Sequence, residues 1–264
     1  MTQPQDITAA LYAAGLKRGD HLIVHSSLRA IGPVEGGADG MIDALLQTVG
    51  DQGTLAMPAF NYTRPVPTPY FDPAITPGAT GALGETFRKR EGTLRSMHPA
   101  HSVCAAGPRA AEFLADHDRH GSFGVDSPFD RIAAAGGWTL LAGVSQTANS
   151  MIHVAESHAG MKKFWWNDGQ PPRVKTLYPD GRIAEVPLDV SSSCSMAFNV
   201  VEQSLRQADA IRDLMIGGAL SYLMRAGDVI AVVKELLFRW PTALFCTRPG
   251  CRPCRLGRAA VMEK

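Results

Sequence analysis

The fold is decided by His21-Leu22-Ile23-Val24-His25-Ser26-Ser27-Leu28-Arg29, which runs through Gly32-Pro33-Val34-Glu35-Gly36-Gly37 and a helical stretch at residues 38–49 to Gly53-Thr54-Leu55-Ala56-Met57-Pro58. Residues 21–25 make a short apolar strand around Leu22-Ile23-Val24, and residues 53–58 make a second. Strand, loop, helix and strand in that order are a βαβ unit. Such crossovers are nearly always right-handed. The loop at residues 25–29 therefore lies at the carboxyl end of its strand, the edge at which open α/β sheets face their ligands.

Outward from this unit the same alternation continues. Ile7, Ala10, Leu11 and Ala14 recur at the helical period, so a helix is expected over residues 6–16. Residues 61–80 carry Pro65, Pro67, Pro69, Pro73 and Pro77, and the aromatics Phe60, Tyr62, Tyr70 and Phe71 suggest an ordered, functional loop. Helices at residues 84–90 and 110–117 bracket a turn that feeds a strand near Ser102-Val103-Cys104-Ala105. Trp138-Thr139-Leu140-Leu141-Ala142-Gly143 reads as a buried strand, and residues 147–159 as the helix behind it. Lys163-Phe164-Trp165-Trp166-Asn167-Asp168-Gly169 ends in a turn. Residues 174–177 and 183–186 flank Pro179-Asp180-Gly181 as a β-hairpin. Helices are expected around residues 196–206 and 211–217, then a last strand pair near residues 229–233. The sum is an α/β fold in a single domain spanning residues 1–264. Its mixed, largely parallel central sheet is flanked by helices and carries a later β-hairpin insertion.

Composition narrows the function. With 264 residues the chain can bury a full core, and 45% hydrophobic and 19% charged residues are ordinary for a globular protein. A net charge of +1 gives no electrostatic case for nucleic acid, because basic residues are scattered except for Arg248, Arg252, Arg255 and Arg258. No apolar run approaches the roughly 20 residues of a membrane span, and the N-terminus has no basic and apolar leader pattern. A cytoplasmic protein acting on neither nucleic acid nor membrane is expected. The five cysteines do not form a secreted disulfide pattern. Cys246, Cys251 and Cys254 include a C-x-x-C pair, but a structural zinc site needs four ligands and no fourth Cys or His follows nearby. The expectation is reduced thiols in a C-terminal loop and no metal.

The chemistry lies at His153 and Glu156. Three apart on a helix, they share a face, so the carboxylate can hold one imidazole nitrogen and leave the other free. That is a general-base dyad in outline, set against the alternative of a surface histidine with an incidental partner. His98 and His101 allow a second base or a metal ligand, although His98-Pro99 reads as a structural turn. Neither G-x-x-x-x-G-K-[ST] nor G-x-G-x-x-G occurs, which disfavours phosphate-loop and dinucleotide enzymes.

Eight segments in order across nearly the whole chain resemble the aminoglycoside 3-N-acetyltransferase family, the antibiotic N-acetyltransferases. They are Val24-His25-Ser26-Ser27-Leu28; Gly53-Thr54-Leu55-Ala56-Met57-Pro58; Phe71-Asp72-Pro73 with Thr80-Gly81 and Glu85-Thr86-Phe87-Arg88; Arg95-Ser96 with His98-Pro99; Asp126-Ser127-Pro128; Leu140-Leu141-Ala142-Gly143-Val144; His153-Val154-Ala155-Glu156; and the Gly250-Cys251-Arg252-Pro253-Cys254 tail. The resemblance implies acetyl-CoA as co-substrate, the 3-amino group of a 2-deoxystreptamine aminoglycoside as acceptor, and antibiotic resistance as the outcome. It implies His153 as the base and Glu156 as its orienting partner. An ammonium must shed a proton to attack a thioester, and an imidazole titrating near about 6.5 suits that task. The thioester is already activated, so direct transfer suffices.

The same resemblance places coenzyme A at His25, Ser26, Ser27, Leu28 and Arg29 with the Gly36-Gly37 turn, and suggests Ser102, Val103 and Ser127 in the same cleft. As a bare pattern the two serines also read as helix caps. Aminoglycosides are polycations, whereas the loops after the dyad offer Asp168, Asp180, Glu185 and Asp189 among Lys162, Lys163, Arg173, Lys175 and Arg182. A non-antibiotic amine is therefore the alternative acceptor. A non-catalytic CoA-binding protein is the alternative from another class, and the oligomeric state is left open.

Overall fold

The computed structural model describes residues 1–61, 70–161, 173–188 and 194–262. Helix α1 (Pro4–Ala13) leads to strand β1 (His21–Ser26), the single-turn helix α2 (Leu28–Ile31), helix α3 (Gly37–Val49) and strand β2 (Thr54–Pro58). Next come α4 (Ala82–Lys89), β3 (Leu94–Arg95), β4 (Val103–Ala106), α5 (Ala110–Leu114), α6 (Pro128–Ala134) and β5 (Trp138–Ala142). A 3₁₀ turn (Gln146–Ala148) precedes α7 (Ser150–His158), and β6 (Arg173–Leu177) and β7 (Ile183–Pro187) form the hairpin. The chain closes with α8 (Val201–Gln207), β8 (Arg212–Ile216), β9 (Ala219–Arg225), α9 (Ala226–Arg239) and α10 (Arg252–Met262).

Seven strands form one mixed sheet in the order β3-β4-β2-β1-β5-β9-β8. The sheet is mixed, as expected, but not largely parallel: parallel pairing is confined to the centre, β1 with β2 and β1 with β5, while the outer strands pair antiparallel. The expected βαβ unit is thus the heart of the sheet. The side-chain period of two sorts its residues between two cores. Ile23, Ala56, Val103 and Leu141 pack on the layer that contains α5, α6, α7 and α9. Leu22, Val24, Leu55, Met57 and Leu140 pack on the layer that contains α1, α3 and α4. With both faces covered, the central strands are buried throughout, which explains their unbroken apolar runs. No helix among the described residues is long and apolar enough to cross a membrane.

The hairpin at residues 174–186 forms as read, with Lys175 opposite Glu185. A bridge between Phe71 and Thr176, and a 2.6 Å hydrogen bond from the Tyr178 hydroxyl to Asp118, dock it on the rest of the chain. Two readings of the C-terminal third are corrected. Residues 211–217 are strand β8 rather than a helix: Leu214 and Ile216 face inward, Asp213 and Met215 outward, and Gly217, at φ +58°, turns the chain into β9. Residues 229–233 are helix α9 rather than a strand pair. Its buried Val229, Ile230, Val233, Leu236 and Leu237 follow the helical spacing, which the β-branched run had masked. The stretch at 147–159 divides where the Asn149 side chain accepts from the Met151 N–H and caps α7. The 62–69 part of the proline-rich loop and the 163–169 turn lie outside the described residues, as do Lys162, Lys163, Asp168 and Asp189.

Candidate active site

Helix α7 is buried on all sides, residues 150 to 156 without exception, so polar groups on it must find partners inside the protein. Glu156 is fully buried, and its Oε2 lies 2.8 Å from His153 Nδ1. With the carboxylate accepting the Nδ1 proton, Nε2 is left as the basic nitrogen. The ring is clamped: Phe123 stacks on it at 4.8 Å between centroids, and Phe198 meets it edge-on at 4.6 Å. The spacing of three seen in the sequence thus becomes an oriented imidazole with restricted motion.

His25, from the end of β1, faces the same site. It stacks on Phe129 at 6.4 Å. Burial, reinforced by repulsion from His153, pushes its imidazole down to about 3, so it is neutral at physiological pH. Among the described residues its buried Nε2 has no hydrogen-bond partner, which marks a place where a ligand group would be accommodated.

Next to Phe123 lies a buried histidine network. His98 Nδ1 accepts from the backbone N–H of Ala100 and of His101, so the His98-Pro99 segment is the structural turn that the sequence suggested. His98 Nε2 then donates to the Ser122 hydroxyl at 3.2 Å, and that hydroxyl also meets His101 Nδ1 at 3.0 Å. His117 Nε2 donates to the Ser122 carbonyl, and its Nδ1 receives the Ser96 hydroxyl at 2.8 Å. Burial pushes His98 down to about 4 and, with repulsion from neighbouring imidazoles, holds His101 and His117 well below their ordinary value. These rings are neutral struts. Phe123 touches both His101, at 5.1 Å, and His153, and so links the network to the dyad.

The carboxyl ends of β1 and β5 open onto a shallow groove of about 350 Å³ lined by Ala30, Gly143, Val144, Ser145, Gly218 and Tyr222, among others. Gly143 is required there: its φ is +67°, and a Cβ would lie 3.1 Å from the Cβ atoms of both Ala30 and Ala219. Of the residues singled out for coenzyme A, His25 and Ser26 end β1, and Arg29 is exposed on α2 with Leu28 half-buried beside it. The Ser27 and Ser127 hydroxyls cap α2 and α6. Ser102, buried ahead of Val103, donates to the Ala59 carbonyl at 2.8 Å and accepts from Arg95 Nε at 2.9 Å. Gly36 and Gly37 form the left-handed turn that starts α3, at φ +71° and +61°. Phe123, Phe198 and the Gly143–Ser145 lining were not found from sequence, because apolar and glycine positions carry no chemical signal until the fold brings them to a site.

The cysteines require a correction. A fourth thiol does lie beside the tail, although it is distant in sequence: the sulfur of Cys194, with those of Cys246, Cys251 and Cys254, forms a group within 4.8 Å of one another. Cys254 sits in the first turn of α10, not in a loop. Sequence distance hid the fourth thiol because the chain between residues 194 and 246 leaves through the sheet and returns along α9.

These features define a class, a three-layer α/β protein with a buried histidine–glutamate pair beside His25 at the carboxyl end of β1. A family profile described as aminoglycoside 3-N-acetyltransferase matches residues 23–238, and the chain belongs to that family. It is 31% identical to aminoglycoside N(3)-acetyltransferase IV of Salmonella sp. over 238 residues, which cover 89% of this chain and 87% of the relative. The crystal structure of a histidine-to-alanine mutant of aminoglycoside acetyltransferase AAC(3)-IVa in complex with a gentamicin superposes with a TM-score of 0.84 at 29% identity, covering 98% of this chain and 97% of the other. The binary complex of AAC-IIIb with CoASH superposes at 0.73 and 27% identity, covering 90% and 97%.

Proposed function

We propose that this chain, acting as one domain over residues 1–264, transfers the acetyl group of acetyl-CoA directly to the 3-amino group of a 2-deoxystreptamine aminoglycoside, giving resistance to that antibiotic. The observation that carries the reading is the buried dyad, His153 Nδ1 held at 2.8 Å by Glu156 between two phenylalanines, in a chain of this family. The acceptor nitrogen attacks the thioester carbonyl carbon and gives its proton to His153 Nε2. As the tetrahedral intermediate collapses, the C–S bond breaks and the departing thiolate takes that proton, which restores the neutral imidazole. The Glu156 carboxylate holds the tautomer and balances the transient imidazolium. The groove between α2 and the end of β5 takes the pantetheine arm of acetyl-CoA. Neutral His25, with Ser26 to Arg29, binds the co-substrate beside the dyad, and its unpartnered Nε2 pairs with a polar group of the ligand. The CoASH complex of a relative supports the cofactor, and the gentamicin complex of another supports the acceptor class.

One observation favours a second acceptor class. On the hairpin, Glu185 and Asp180 lie within ion-pair reach of Arg173 and Arg182, at 3.4 and 3.8 Å, and so add little net negative charge for a polycation. A smaller amine metabolite fits that surface. The deciding experiment measures thiol release from acetyl-CoA with purified protein against 4,5- and 4,6-disubstituted aminoglycosides, apramycin and simple diamines. Turnover with an aminoglycoside that disappears in His153→Ala supports the first reading. Turnover with the amines alone selects the second, and none with any amine despite CoA binding refutes both.

A further inference from the structure

We propose that Cys194, Cys246, Cys251 and Cys254 form a structural tetrathiolate zinc site that fixes the segment leading to Phe198. All four ligand atoms lie within 4.8 Å of one another, three of the residues are buried and Cys251 is half-buried. The Cys194 and Cys246 sulfurs are 3.7 Å apart. A tetrahedron with Zn–S bonds of about 2.3 Å has sulfur-to-sulfur edges of about 3.8 Å, so this edge already has the length that zinc demands. Four thiolates in a tetrahedron select zinc or iron, and a role confined to tying chain segments together fits zinc, which has no redox chemistry.

Backbone N–H groups turn toward the sulfurs. The Cys246 N–H points at Cys254 Sγ at 3.4 Å, and backbone N–H groups of Met196 and Arg248 hydrogen-bond the sulfurs of Cys194 and Cys246. Binding replaces four S–H protons by one Zn²⁺, so the centre carries a net charge of about −2. A cluster of four arginines, Arg248, Arg252, Arg255 and Arg258, belongs to this same tail, and Arg258 donates to the carbonyls of Phe245 and Cys246 at 3.3 and 3.2 Å. The acetyl-transfer chemistry makes no use of these arginines. As counter-charge to a dianionic metal centre they have a role.

The centre ties three separate parts of the chain, the segment before Phe198, the loop after α9 and the start of α10. Cys194 lies four residues before Phe198, whose ring edge rests on His153, and the turn between them is closed by the Phe198 N–H to Ser195 carbonyl bond at 3.0 Å. Zinc thus secures one of the two rings that clamp the dyad.

Metal content tests this independently of acetyl transfer. Full-length protein expressed in zinc-supplemented medium should carry about one zinc per chain by elemental analysis. Its native mass should exceed its denatured mass by one zinc less the protons that the metal displaces. A mercurial titrant should release that zinc as all the clustered thiols react, and Cys251→Ser, at the most exposed ligand, should lose most of it. Because a cysteine variant can fail to fold, the wild-type measurements decide. Metal-free protein with reduced thiols overturns the proposal, as does a non-reduced denatured mass lowered by the hydrogens that disulfides lose. Iron in place of zinc overturns the choice of metal.

Discussion

Removal of His153 tests chemistry and stability at once, and the structure says how to separate them. General-base assistance of this kind is worth about 10²- to 10⁴-fold, or roughly 3 to 5 kcal/mol of transition-state stabilisation, so His153→Ala should lower kcat/KM by that factor. The same change takes the His153 partner from the fully buried Glu156 carboxylate, and breaking a buried pair from one side costs about 3–5 kcal/mol of folding stability. Glu156→Gln leaves only a neutral ring beside a neutral amide. The exchange of a charge-assisted hydrogen bond for a neutral one, a difference of about 1–1.5 kcal/mol, should lower kcat about tenfold with little loss of stability. The double variant His153→Ala/Glu156→Gln should therefore recover most of the stability lost in His153→Ala and none of the turnover. Urea denaturation of the four proteins gives the first comparison, and initial rates of thiol release at saturating acetyl-CoA give the second. A double variant that turns over within about tenfold of wild type would refute the assignment of the base. Equal stability of His153→Ala and the double variant would refute the buried-pair energetics.

Acid should destabilise the protein through its buried neutral imidazoles. His25, at about 3, and His98, at about 4, bind a proton more readily in the unfolded chain, near 6.5. Stability is then fully present above the unfolded value and falls as the pH drops toward the folded ones. At pH 5 each should have cost about 2 kcal/mol, and urea midpoints that stay level between pH 7 and pH 5 would contradict this. Gly143→Ala forces a side chain into a left-handed conformation, at about 1–2 kcal/mol, and narrows the groove against Ala30 and Ala219. Calorimetry should show weakened binding of coenzyme A with aminoglycoside affinity little changed; unaltered coenzyme A affinity would remove the groove as its site. Phe198→Ala deletes a fully buried ring, so a cost of about 3–5 kcal/mol is expected by chemical denaturation. Phe198→Leu keeps most of the volume, loses the edge contact with His153, and should lower kcat more than it raises KM.

Sequence alone determined the elements whose periodicity is local and unambiguous. The βαβ unit at residues 21–58, the buried strand at Trp138 and the hairpin around Pro179-Asp180-Gly181 follow from apolar runs and turn residues acting over a few positions. The His153–Glu156 pairing was legible for the same reason, since a helix brings residues three apart to one face whatever surrounds it. Where β-branched content and helical spacing conflict, as at residues 229–233, or where alternation is short, as at 211–217, only packing against the sheet decided. Tertiary structure alone set Phe123 and Phe198 against the imidazole, left His25 neutral beside it, and carried Cys194 to three thiols, the nearest of them 52 residues away in sequence. Such contacts depend on where the chain returns after crossing the sheet, and no local spacing encodes that path.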